Sequence, residues 1–151
     1  MLAPRIEKTV KAILNDLGYT DPEISIVVVG DSEIRELNRK YRGVDNTTDV
    51  LAFSMLEGES SNVYPPMLGD IVINISAARR TAQTCNVSFF LVMDLLLVHG
   101  ILHLIGYDHE NHEDARRMIE KTLELMERLD YGREELDWYV SEMKDFGNEI
   151  G

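Results

Sequence analysis

The sequence has one cysteine, Cys85, so no internal disulfide can close and folding must rest on a buried core; a reducing cytoplasm is the expected setting. Its first residues, Met1-Leu2-Ala3-Pro4-Arg5, lack the charged-then-apolar order of a secretory signal. No apolar run reaches the ~20 residues that a helix needs to cross a bilayer. The longest, Phe89 to Ile105, is interrupted by Asp94, His99 and His103 and reads as a buried helix, so no membrane partner is expected. Basic residues are also few: 15 Lys and Arg stand against 27 Asp and Glu, a formal charge of -12. That balance excludes a protein that binds nucleic acid through its whole surface, because phosphate affinity rests on Lys and Arg, and DNA is not expected as a partner. More than half of the acidic residues follow Gly106, which leaves room for a basic patch earlier in the chain.

What is present suits a compact protein. A chain of 151 residues with 44% apolar content can bury enough surface to fold unaided, and we expect one domain over residues 1–151. Ile6, Val10, Ile13, Leu14 and Leu17 follow three-four spacing and predict a helix from Pro4 to Leu17, closed by Gly18. Strands are expected at Glu23 to Val29, Val50 to Phe53 and Asp70 to Ile75, with Glu57 to Pro66 as a polar loop. Asp31 or Ser32 is the expected cap of a helix that runs to about Tyr41 and stops at Gly43, and Ser76 that of a helix through about Thr84. Ser88 to Ile105 is apolar nearly all round and should form the centre. Helices at Asn111 to Leu129 and from about Leu136 to Met143 complete an α+β reading: a small mixed sheet packed against helices.

The stretch His99-Gly100-Ile101-Leu102-His103-Leu104-Ile105-Gly106-Tyr107-Asp108-His109 carries the chemistry. Residues four apart on a helix share a face, so His99 and His103 can ligate one ion from a rigid backbone. Gly106 stands where the helix would end in a left-handed turn, and the chain can then fold back to present His109. Three imidazoles leave a fourth tetrahedral position for water, as catalytic zinc sites do. Asp108 either orients a ligand or stabilises the turn, and His112 is expected to be solvated.

The spacing resembles that of zinc peptidases with the motif His-Glu-x-x-His-x-x-Gly-x-x-His, but Gly100 replaces the glutamate that serves them as general base. Peptide hydrolysis by that route is disfavoured. A broader resemblance is to the YbeY family of metal-dependent endoribonucleases. It rests on the histidine segment, on Leu37-Asn38-Arg39-Lys40-Tyr41-Arg42 followed by Thr48-Asp49-Val50-Leu51, and on Leu68-Gly69-Asp70-Ile71-Val72-Ile73. The resemblance implies a zincin-like fold, one zinc on His99, His103 and His109, and an arginine important for activity at Arg42. It also implies cleavage of single-stranded RNA in maturation of the small-subunit rRNA 3′ end and ribosome quality control, with the small ribosomal subunit as partner. Thr47, Ala52 and Ser54 depart from residues common in the family, and the acidic tail after Tyr131 lies outside the shared motifs.

Arg35, Arg39 and Arg42 form one stripe on the predicted helix, with Lys40 nearby. Glu33 and Glu36 can neutralise such a face, which is the reading the stripe alone favours; the neighbouring metal site and the family resemblance single out Arg42 alone as the phosphate contact. Arg79 and Arg80 could extend the patch or face solvent. Tyr41 and Phe53 could stack bases, but are expected in the core. Two rival functions remain open: hydrolysis of another substrate such as a peptide or small phosphoester, and ribosome assembly around a structural zinc.

Overall fold

The computed structural model describes residues 2–55, 67–108 and 110–150, the side chains of 144–150 excepted. Six helices and three strands follow in the order α1 (Leu2–Asp16), β1 (Glu23–Val29), α2 (Asp31–Arg42), β2 (Val50–Ser54), β3 (Met67–Asn74), α3 (Ile75–Cys85), α4 (Phe89–Leu104), α5 (His112–Arg128) and α6 (Asp137–Ile150), with a 3-10 turn at Arg133–Leu136. The sheet runs β1-β3-β2, with β1 parallel and β2 antiparallel to β3. This is the expected α+β architecture with a small mixed sheet. The expected loop at Glu57 to Pro66 lies outside the described residues.

Central strand β3 explains itself: Ile71, Val72 and Ile73 are all buried, as a strand covered on both faces requires. On one face, Val29, Ile34, Leu51 and Val72 form a small core under α2, joined by Leu37 and Phe53. On the other lies the main core, built around α4 with Ile71 and Ile73 of the sheet and apolar residues of α1, α3 and α5. From Leu91 to Leu104 every residue of α4 is buried except His99 and His103, which are half-buried. The helix that fills the centre therefore opens to the surface at those two turns.

Asp94 is a charged residue inside this core, 4% exposed. Its carboxylate accepts hydrogen bonds from Tyr131 Oη (2.6 Å), Arg5 Nη2 (3.2 Å) and Thr9 Oγ1 (3.3 Å), tying α1 and the segment after α5 to α4. Burial, and then the adjoining carboxylate, push the Tyr131 phenol above its ordinary range.

Two caps differ from expectation. Gly30, not Asp31 or Ser32, is the N-cap of α2, and Glu33 Oε1 accepts from the Gly30 amide. Asp31 is instead engaged by Arg80, bidentate at 2.8 and 2.9 Å, and by Asn74. Helix α3 is capped by Asn74 in place of Ser76: Asn74 Oδ1 accepts from the amides of Ser76 and Ala77, which ends β3 one residue before the expected Ile75. The same strand starts three residues before the expected Asp70, at Met67, and a bulge separates the pairs Glu23–Met67 and Ile24–Gly69. Gly43 closes α2 in the left-handed conformation, as expected.

Candidate active site

His99 and His103 project from successive turns of α4 with ring centroids 4.7 Å apart. They border a cleft of about 340 Å³ whose other walls are Asn38 and Arg42 at the end of α2, Thr48 and Asp49 before β2, and Val50 to Ala52 of β2 itself. After Leu104 the chain turns sharply: Gly106 adopts φ of 105° and donates its amide to His103 O, while the Tyr107 amide reaches Leu102 O. That conformation favours glycine, as the sequence suggested. His109, the third expected ligand, lies outside the described residues, and among the described residues no group of three or more His, Cys, Asp or Glu side chains could hold a metal ion.

Gly100 has a physical reason to lack a side chain. A Cβ there would lie 2.9 Å from Ile71 Cγ2 and 3.1 Å from Ile71 Cδ1, and Ile71 is fully buried in β3. The close approach of α4 to the sheet leaves no room for the glutamate that a peptidase carries at this position. On the other edge of the contact, Ser54 Oγ donates to Leu104 O at 2.9 Å, so β2 supplies a partner to one of the unpaired carbonyls at the end of α4.

The arginine stripe separates into unlike members. Arg35 is paired with Asp45 at 2.9 Å, and Arg39 with Glu36. Each of these pairs lowers its carboxylate's pKa through the hydrogen bond to the guanidinium. Arg80 is held by Asp31, and the Arg79 guanidinium lies 5.8 Å from the Phe89 ring centroid. Arg42 pairs with no carboxylate among the described residues. Its Nη2 donates to Ala52 O at 2.6 Å, and its guanidinium sits 5.3 Å from the Phe53 ring centroid. Because β2 is an edge strand, its outward carbonyl can anchor the arginine beside the histidine cleft. Phe53 is half-buried and packs under α2, whereas Tyr41, expected in the core, is 59% exposed. It stands in the last turn of α2, where its ring meets Phe53 of the edge strand β2 and is otherwise largely open.

Two residues of this region were not singled out from sequence. Asp49 lines the cleft and also a neighbouring one of about 300 Å³ that reaches Trp138 and Tyr139. Although part of its surface is open, desolvation by the surrounding protein raises its carboxyl pKa, outweighing hydrogen bonds from the Asp49 and Val50 amides and the Thr48 side chain. Asn74 is fully buried, and its amide group donates to Asp31 Oδ1 (2.7 Å), Thr48 O (3.1 Å) and Thr47 Oγ1 (3.2 Å). It thereby holds the cleft wall at Thr48 and Asp49 to the start of α2. The family-like segment Thr48-Asp49-Val50-Leu51 held a signal for Asp49, and Asn74 was marked only as a capping residue type just before a helix, not as a tie to the cleft wall.

Comparisons with known proteins agree on one family. The model of endoribonuclease YbeY matches residues 2–130. Endoribonuclease YbeY of Geobacter metallireducens is 45% identical over 129 residues, covering 84% of this chain and 86% of that protein. Endoribonuclease YbeY of Syntrophotalea carbinolica is 43% identical over 126 residues, with 82% and 84% covered. The solution structure of TM1509 from Thermotoga maritima superposes with a TM-score of 0.62 at 28% identity, over 95% of this chain and 87% of that one. The matched stretch contains the histidine, arginine and β3 segments from which the resemblance was read. The chain belongs to the endoribonuclease YbeY family.

Proposed function

We propose that the chain is a zinc-dependent endoribonuclease that cuts single-stranded RNA in the cleft between α2, β2 and α4. Its substrate is the maturing small-subunit rRNA, its partner the small ribosomal subunit, and its role extends to ribosome quality control in the cytoplasm. The observation that carries this reading is Arg42, a guanidinium with no carboxylate partner among the described residues, held on Ala52 O and Phe53 at the border of the cleft that His99 and His103 share. RNA as the substrate class follows from the relatives, which are named endoribonucleases. We read the central histidine-bearing helix beside a small mixed sheet as zincin-like.

The donor set suits one zinc ion. His99 and His103 offer two imidazoles one helical turn apart, and His109, outside the described residues, comes three positions after Gly106 in sequence and would supply the third. Such an ion, when bound, supplies a Lewis acid at a phosphodiester oxygen. Arg42 grips the same phosphate: a planar guanidinium matches two phosphate oxygens, and its charge offsets the negative charge that grows on a phosphorane-like transition state. The bond to Ala52 O fixes the group before substrate arrives, so little reorganisation accompanies the reaction. Gly100 leaves the site without the side-chain base that peptide hydrolysis uses.

The test is substrate choice. The purified chain should cut a precursor small-subunit rRNA fragment within unpaired segments and leave casein whole. Arg42→Ala should slow that cutting by about 100-fold or more, the usual loss for a donor aimed at a developing oxyanion. Digestion of casein with the RNA left intact would overturn the proposal.

A further inference from the structure

We propose that Tyr41, backed by Phe53, is a stacking shelf for one base of the substrate strand, next to the phosphate that Arg42 binds. The inference rests on the reading above and names how that site would select unpaired RNA. Its first support is exposure. Tyr41 is 59% exposed although it lies in an amphipathic helix whose Ile34 and Leu37 pack onto the sheet, and the next large apolar residue along the chain, Val44, is 47% exposed. An aromatic ring left open beside a candidate active cleft is available to a ligand.

The second support is arrangement. The Tyr41 and Phe53 rings meet edge to face at 5.7 Å and 67°, a contact that uses at most one face of the tyrosine. The Arg42 guanidinium lies 5.3 Å from the same Phe53 ring. Guanidinium, phenyl and phenol thus adjoin in series, beginning at Arg42 on the border of the cleft. Lys40 Nζ lies 5.3 Å from the Tyr41 centroid. That contact joins an exposed, flexible side chain to the ring, and a cation at an exposed site holds an aromatic face less strongly than a nucleobase does. A base can therefore displace the lysine and leave its ammonium beside the backbone phosphate.

The third support is charge. In a chain of net charge -12, Arg35, Arg39 and Arg80 are each taken up by a carboxylate, while Arg42 has no such partner among the described residues and Lys40 makes no ion pair there, its charge reaching Glu36 only through space. These two cations flank Tyr41 in sequence. Aromatic rings between unpaired cations match a single nucleic-acid strand, whose bases are free to stack, and do not match a duplex, whose bases are already stacked.

The experiment uses the full chain and a fluorescent single-stranded oligoribonucleotide, together with copies of it carrying one abasic position each. Tyr41→Ala and Tyr41→Leu should weaken binding about 5- to 150-fold, the range expected for one lost base stack, and Tyr41→Phe should restore it. One abasic position should weaken the wild type by a similar factor and leave Tyr41→Ala unaffected. Because the ring is 59% exposed, the variants should stay folded under assay conditions, with Tyr41→Ala and Tyr41→Leu losing only the edge contact with Phe53. Wild-type affinity in Tyr41→Ala or Tyr41→Leu, with RNA cutting intact, overturns the shelf alone. A wild type that neither binds nor cuts the RNA overturns the endoribonuclease reading and the shelf with it.

Discussion

Gly100→Ala tests how the site is built. The added methyl would meet Ile71 Cγ2 at 2.9 Å, Cδ1 at 3.1 Å and Cγ1 at 3.3 Å, and Ile71 has no exposed surface into which to swing. Forcing one methyl into a filled core costs about 1–3 kcal/mol. Replacing a mid-helix glycine by alanine returns about 1 kcal/mol of helix propensity. The net effect should be destabilising by roughly 0–2 kcal/mol, combining these two terms. In an Ile71→Ala background the same methyl enters vacated space, so Gly100→Ala should there stabilise by about 1 kcal/mol or more. Denaturant unfolding of the four proteins closes a double-mutant cycle, and a coupling of about 1–3 kcal/mol is expected. Cleavage should fall more than stability does, since displacing α4 from β3 also moves His99 and His103 relative to Arg42. A uniform gain of about 1 kcal/mol in both backgrounds would refute the argument that the sheet excludes a side chain here.

Other consequences follow from the polar contacts that tie the elements together. Tyr131→Phe removes the shortest hydrogen bond to the buried Asp94 carboxylate and should cost about 1–3 kcal/mol in denaturant unfolding; an unchanged midpoint would contradict it. Asn74→Ala leaves the Ser76 and Ala77 amides without their cap, a loss of about 0.5–2 kcal/mol. It should also reduce cleavage, because the wall at Thr48 and Asp49 loses its tie. The hydrogen bonds and charge of Arg80, with a further bond from Asn74, hold the Asp31 carboxyl well below its ordinary 3.8. The folded state therefore gains from this group at every pH above 3.8 and loses that gain only as pH falls towards the depressed value. NMR titration of Arg80→Gln should find the Asp31 pKa moved upward, and an unmoved value would show that Arg80 is not the cause.

Sequence periodicity carried most of the fold because it reflects one-sided burial. Ile6, Val10 and Ile13 marked α1, and the unbroken apolar run marked α4 as the centre, with His99 and His103 on one face. The cap of α2 was misassigned because Asp31 is held by Asn74 and Arg80, 43 and 49 residues away in sequence, which local pattern does not register; that of α3 was misassigned because Asn74 and Ser76 are both capping residue types two positions apart, and it is Asn74 that accepts from the Ser76 and Ala77 amides. Arg42 was separable from Arg35 and Arg39 by the family resemblance, but the reason is tertiary: Asp45 and Glu36 reach the other two, and the free edge of β2 reaches Arg42. Tyr41 defeated the core expectation because Ile34 and Leu37 take the core-facing positions of α2, and Tyr41 meets Phe53 only edge to face. Gly100 was legible as a missing base and not as a packing contact, since Ile71 lies 29 positions earlier, as a count along the chain shows.

The most direct measurement of the central claim pairs metal analysis with RNA cleavage for the wild type, His103→Ala and Arg42→Ala. The wild type should carry one zinc per chain and cut the precursor rRNA fragment. His103→Ala should lose both metal and cutting, and Arg42→Ala should keep the metal while cutting about 100-fold more slowly or worse. Equal cleavage by all three proteins would contradict the account.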